Sequence, residues 1–195
     1  TNNTVQDTFI SGDRVYYATT GGLDVINLST NLNIHNKTGN FKSIYILNNL
    51  VYLGNTSGVW IFNNNDTLGF NRSYTSTLPS TTVNDINCKT VGVNDYCLVS
   101  TNTGTAVINY TGNTISNSSL TTVMQTGMIG KDNNVYWANS THLFKSNDIN
   151  TMSVPQSFKN TIANTIGLWH FDNGNLSSNI AIGDTNVTFT NVGLN

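Results

Sequence analysis

One segment returns along this chain at a spacing that a repeating architecture explains. Val15-Tyr16-Tyr17-Ala18-Thr19-Thr20-Gly21-Gly22-Leu23-Asp24-Val25-Ile26-Asn27 aligns without a gap on Val51 through Asn63, and again on Cys97 through Asn109. A looser fourth copy runs from Val135 to Asn147. The strides are 36, 46 and 38 residues. That is the length of one supersecondary unit, which cannot hide its apolar faces alone and must stack on neighbours.

Each copy reads as strand, tight turn, strand. Arg14 to Thr19 leads through Gly21-Gly22 into Leu23 to Leu28, the glycines supplying the positive φ of a hairpin turn. Gly58 and Gly104 hold the same place in the second and third copies, while His142 stands there in the fourth, so that turn must differ. An apolar segment precedes each copy: Thr8–Ile10, Ile44–Ile46, Ile86–Cys88 and Met128–Ile129. Turn residues follow those segments at Gly12-Asp13, Asn48-Asn49, Asn94-Asp95 and Asp132-Asn133-Asn134. Polar fourth strands are expected after the copies, for example over Leu32–His35 and Leu68–Asn71. Four short antiparallel strands per unit of about 40 residues is the pattern of a propeller blade.

Composition agrees. Charged residues are 9% of 195 and all ten acidic residues are Asp. Ala and Gln are scarce, whereas Asn, Thr, Ser and Gly alternate with Val, Ile, Tyr and Phe, which favour turns and strands. The expected fold is all-β, a small β-propeller of about five blades with four antiparallel strands each. On that reading 1–195 is one domain; Thr165–Asp172 and Asn179–Asn191 belong to a fifth blade, and Thr1–Thr4 lends it an outer strand that closes the ring. The alternative is a partial propeller over 1–160 with a different domain starting at 161–195.

The run Val15–Asn27, and more clearly Leu98–Asn102 through Val107–Asn109, resembles the YVTN-type and two-component-regulator-type β-propeller repeats. Asn27, Asn63 and Asn109 stand where those repeats usually carry Asp. The resemblance implies a propeller and carries no activity; such propellers occur in cell-surface layers, secreted binding proteins and virus or phage appendages. Gly167-Leu168-Trp169-His170-Phe171-Asp172 with Gly174-Asn175 resembles instead the opening of a LamG-type (concanavalin-A-like) jelly roll, which is the alternative for 161–195.

A formal charge of -2 without a basic run argues against nucleic acid. No apolar stretch is long enough for membrane insertion. With no initiator Met and no signal-peptide pattern, we expect a processed chain or a region of a longer one. His35, His142 and His170 lie in different units without metal-ligand spacing. Asp24, Asp85 and Asp172 are the carboxylates that a glycosidase would need; most other Asp residues read as turn formers. No nucleophile motif accompanies His170-Phe171-Asp172, so we expect no enzyme. We expect no cofactor either: Asp172-Asn173-Gly174-Asn175 offers oxygens to Ca²⁺ but lacks the EF-hand loop pattern.

Cys88 and Cys97 can face one another across the turn at Gly92-Val93, forming a disulfide in an oxidising compartment; otherwise they are two small buried residues. N-x-[ST] triplets are frequent, although roughly eight would arise by chance at this Asn, Ser and Thr content. Asn36, Asn55, Asn65, Asn71, Asn117 and Asn139 are the candidate glycan attachment points. Trp60, Trp169 and His170 are the candidate sugar or partner contacts, Trp60 because Asp24 and Ala106 share its register. Together these features predict a non-enzymatic extracellular, cell-surface or virion module for assembly or adhesion. Its partners would be copies of itself, other surface proteins or glycans. The alternative is a carbohydrate-binding, lectin-like or hydrolytic propeller.

Overall fold

The computed structural model describes residues 3–65, 67–118, 121–147, 149 and 156–158. Those residues form sixteen strands and no helix; accordingly none is long and apolar enough to cross a membrane as a helix. The strands make four sheets. Blade 1 holds β1 (Val5–Ser11), β2 (Arg14–Thr19), β3 (Gly22–Asn27) and β4 (Leu32–Thr38). Blade 2 holds β5 (Ser43–Leu47), β6 (Leu50–Asn55), β7 (Gly58–Asn63) and β8 (Phe70–Tyr74). Blade 3 holds β9 (Val83–Val91), β10 (Asn94–Thr101), β11 (Gly104–Asn109) and β12 (Thr114–Asn117). Blade 4 holds β13 (Thr126–Ile129), β14 (Val135–Ala138), β15 (Leu143–Ser146) and β16 (Gln156–Phe158). Every sheet is an antiparallel meander in chain order, and the first strands β1, β5, β9 and β13 touch in succession.

Strand alternation decides how the blades stack. Successive side chains point to opposite faces, so each sheet carries two apolar sets. In blade 2, Val51, Leu53 and Phe62 join Tyr16, Ala18, Leu23 and Val25 of blade 1 in one core cluster. Its other face sends Leu50, Tyr52, Val59 and Ile61 into a second cluster with Cys97, Val99, Ala106 and Ile108 of blade 3. The third cluster places Leu98 and Val107 of blade 3 against Val135, Trp137 and Phe144 of blade 4. At each of the three junctions between described blades, the Tyr16-type positions of one blade thus meet the Val15-type positions of the next.

Two glycine roles explain the repeated motif. Gly22, Gly58 and Gly104 have φ of 152°, 128° and 134°, and a Cβ on Gly22 or Gly58 would overlap the carbonyl oxygen of Lys37 or Tyr74 on the outer strand. Only glycine meets both demands. In the fourth copy, Asn139 does the work: its Oδ1 accepts from the N–H and hydroxyl of Thr141 and from the N–H of His142.

Three expectations need correction. The third inner hairpin turns at Gly92-Val93, with Gly92 at φ 62°, and Asn94-Asp95 begin β10 because β9 runs on to Val91. The outer strands lie at Leu32–Thr38 and Phe70–Tyr74, the second displaced because Leu68, at φ 45°, is buried in the turn before it. Thr4 does not serve a closing blade. Its N–H donates to Thr20 Oγ1 and its carbonyl accepts from Thr20 N–H, so it prolongs the inner strand of its own sheet. The assignments made for Thr165–Asn191, including Trp169, His170 and Asp172, and the choice between a single domain and a break near 160 lie outside the described residues.

Candidate functional site

Polar side chains on the inner strands act first as clamps between blades. Asp7 Oδ2 accepts the Ile44 N–H at 2.9 Å, so blade 1 caps an edge amide of blade 2. Asp85 Oδ2 does the same for Gly127 at 3.0 Å and also accepts the Thr126 hydroxyl at 2.6 Å. Asn87 Oδ1 accepts the Ile129 N–H at 3.0 Å. Lys89 Nζ, two residues on, donates to the Gly130 and Lys131 carbonyls and to Asn133 Oδ1. Backbone amides and carbonyls are obligatory hydrogen-bonding groups; Asp7, Asp85 and Asn87 satisfy the amides, and Lys89 the carbonyls, where one blade meets the next.

The clamps bear on the glycosidase candidates. Asp24 sits on β3 of blade 1 and accepts from the side-chain amides of Asn33 and Asn36. Asp85 belongs to β9 of blade 3 and serves blade 4. The fold assigns the two carboxylates to separate blades and separate partners.

Cys88 and Cys97 are directly opposite across β9 and β10, with Cα atoms 4.0 Å apart, and are bridged as a disulfide. Both are buried in the core between blades 2 and 3. In the same core, Tyr52 has its hydroxyl pKa raised, first by burial and then by the charge of Asp95. Burial also raises Tyr45, whose ring meets Phe9 edge-on at 4.9 Å.

The sequon asparagines divide by how their amides are used. Asn36, Asn71 and Asn117 donate from Nδ2 to Asp24, Asn63 and the Thr77 carbonyl. Asn55, Asn65 and Asn139 instead accept at Oδ1 from the residue two positions on, closing side-chain turns. Asn65, Asn71, Asn36 and Asn117 are exposed, and Asn55 and Asn139 half-buried.

Trp60 is half-buried on β7, packed against the core of blades 1 and 2. Its indole N–H is buried without a hydrogen-bond partner among the described residues. The exposed aromatic beside it is Phe70, 57% exposed on the outer strand, 5.9 Å from the Trp60 ring and 6.0 Å from that of Phe62. Sequence reasoning missed Phe70: an aromatic in an outer strand looks the same whether it faces core or solvent. It also missed the rim cluster in which the Arg72 guanidinium lies 4.9 Å from the Tyr110 ring centroid and donates to Tyr74 Oη and Asn113 Oδ1. The hydrogen bond with Tyr74 is the main cause that raises the Arg72 pKa. A third feature escaped notice, a hollow of about 130 Å³ on the outward face of blade 4, bounded by Thr126, Met128, Tyr136, Ala138 and Leu143.

No family model and no curated protein sequence matches the chain. Solved structures do match. "Structure of U3-55K" superposes with a TM-score of 0.62 at 6% identity, over 74% of this chain and 49% of the other. The RRP9 WD40 repeats give 0.62 at 7%, over 76% and 49%. The extracellular domain of the putative one component system BT4673 from B. thetaiotaomicron gives 0.59 at 15%, over 72% and 20%. The chain spans about half the length of the first two. At these identities the likeness speaks for the fold alone, and that fold is propeller-like.

Proposed function

We propose that this chain is a non-enzymatic β-propeller module working outside the cell or on a virion surface, in structural assembly or adhesion. Its partners are copies of itself or other surface proteins. The repeat is of the YVTN or two-component-regulator type, and 1–195 is a single propeller domain with Thr165–Asp172 and Asn179–Asn191 in its fifth blade. The observation that supports an oxidising compartment is the buried Cys88–Cys97 disulfide. The polar groups add to it: Asp7, Asp85 and Lys89 are held in clamps between blades rather than gathered around a shared cleft. Acid–base chemistry would require them in one place.

A second reading, a lectin-like module, is favoured by Phe70. An exposed ring backed by Trp60 and Phe62 is a surface on which the apolar face of a sugar can lie. One experiment separates the readings. The full chain, secreted from an oxidising host, is examined for free thiols, for self-association by light scattering, and on a glycan array. The assembly reading expects no free thiol and ordered self-association; free thiols, or hydrolysis of arabinan-type polymers, overturns it. Glycan binding that disappears in Phe70→Ser establishes the second reading in its place.

A further inference from the structure

The grooves on the two sides of blade 2 treat their cations differently. Ile61 of β7 faces blade 3, and Phe62, the next residue, faces blade 1. On the outer strand β8, Arg72 pairs with Ile61 and Phe70 with Phe62, across a register shift. The extra residue in β8 therefore puts Arg72 in the groove towards blade 3 and Phe70 in the groove towards blade 1. Towards blade 3 the cation is supplied with oxygens. Arg72 donates to Tyr74 Oη, to the Tyr110 carbonyl and to Asn113 Oδ1. Lys89, at the next junction, donates likewise to the Gly130 and Lys131 carbonyls and to Asn133 Oδ1 of blade 4.

Towards blade 1 the cation is Lys37 of β4, half-buried and paired with Leu23. Its Nζ lies 5.7 Å from the centroid of the Phe62 ring, a cation–π contact. It takes no oxygen acceptor among the described residues. A ring contact leaves the N–H donors of an ammonium unused. The Phe62 ring also borders Phe70, the exposed aromatic backed by Trp60. This groove thus presents an open aromatic plane and a charged donor on either side of Phe62, without the oxygens that Arg72 and Lys89 receive.

We infer that the groove between the outer strands of blades 1 and 2 binds an acidic sugar, its apolar ring face on Phe70 and its carboxylate or sulfate on Lys37. The C–H groups on one side of a pyranose pack on an aromatic ring, and the anion supplies the oxygens that Lys37 lacks. An ammonium is a point charge without planar preference, so a uronic carboxylate and a sulfate ester serve it equally. An acidic peptide would satisfy Lys37 and leave Phe70 uncovered. The inference rests on the lectin-like reading above and names its class of sugar.

The test is calorimetric titration of the full chain with matched probes: oligogalacturonate against its methyl ester, and sulfated against desulfated galactan oligosaccharides. At low salt the acidic member of at least one pair is expected to bind about fivefold more tightly than its neutral counterpart, as an ion pair at the surface allows. The preference should shrink as salt rises, and the pair that shows it identifies the anion. Lys37→Gln is expected to erase the preference while neutral sugar still binds, Lys37→Arg to keep it, and Phe70→Ser to abolish binding of both members. Acidic and neutral probes bound equally overturn the inference and leave the lectin-like reading standing; binding of neither overturns both. A preference that survives Lys37→Gln overturns it too, as does oligoglutamate bound as tightly as the acidic sugar. Should Lys37→Gln lower the unfolding midpoint, the wild-type ratios and their salt dependence decide alone.

Discussion

Blades 3 and 4 are built to the same plan and differ in how much holds them. Blade 3 has inner strands of 9 and 8 residues, a disulfide between them, and apolar clusters on both faces. The strands of blade 4 have 4, 4, 4 and 3 residues. Its hairpin turns through an asparagine side chain rather than a glycine, and only its inward face belongs to a cluster among the described residues. The difference teaches that register survives when strand length does not. Alternation needs only a few residues to set which side chains point where, whereas stability grows with the apolar area covered.

The comparison breaks most visibly at Trp137, the largest fully buried side chain among the described residues, packed where blade 4 meets blade 3. Trp137→Ala should cost about 4 kcal/mol by removing that packing and leaving a cavity. Hydrogen exchange should then show amides of β13–β15 losing protection before those of β9–β11. Equal loss in both blades would mean that they unfold as one unit. Next in size is the disulfide. The double variant Cys88→Ala/Cys97→Ala should lose about 2–3 kcal/mol in urea unfolding, the value for a closed loop of this order, bringing blade 3 closer to blade 4 in stability. An unchanged midpoint in the double variant would mean that the bridge adds nothing to the packed core. Smallest is the turn of blade 4. Asn139→Ala removes the acceptor for three donors and should cost about 1 kcal/mol, read as a shift of midpoint confined to the less protected blade.

The same two blades show what the sequence could tell. The aligned copies were enough to place the hairpins, because alternation and turn glycines are local signals: Val15, Val51, Cys97 and Val135 all fall at equivalent places on β2, β6, β10 and β14. The cross-strand approach of Cys88 and Cys97 could be read as one of two alternatives, since a single turn fixed their register. The outer strands were misjudged by several residues, as at Phe70–Tyr74, because their connections are irregular and carry no shared motif. The clamps of Asp7, Asp85 and Asn87 stayed hidden for a different reason. Each joins residues about 40 positions apart, and an aspartate that caps a neighbouring blade looks in sequence like one that forms a turn. Phe70 and Leu143 could not be distinguished from core residues, since exposure depends on what lies opposite and not on residue type.

The directional use of the two faces has a consequence for ancestry. Because the apolar cores among the described residues each join one sheet to the next along the chain, duplication or loss of a stretch of about 40 codons changes the number of copies while leaving the remaining junctions as they were. Such a gene can lengthen or shorten in whole steps, and selection need repair only the single junction where the new copy was joined.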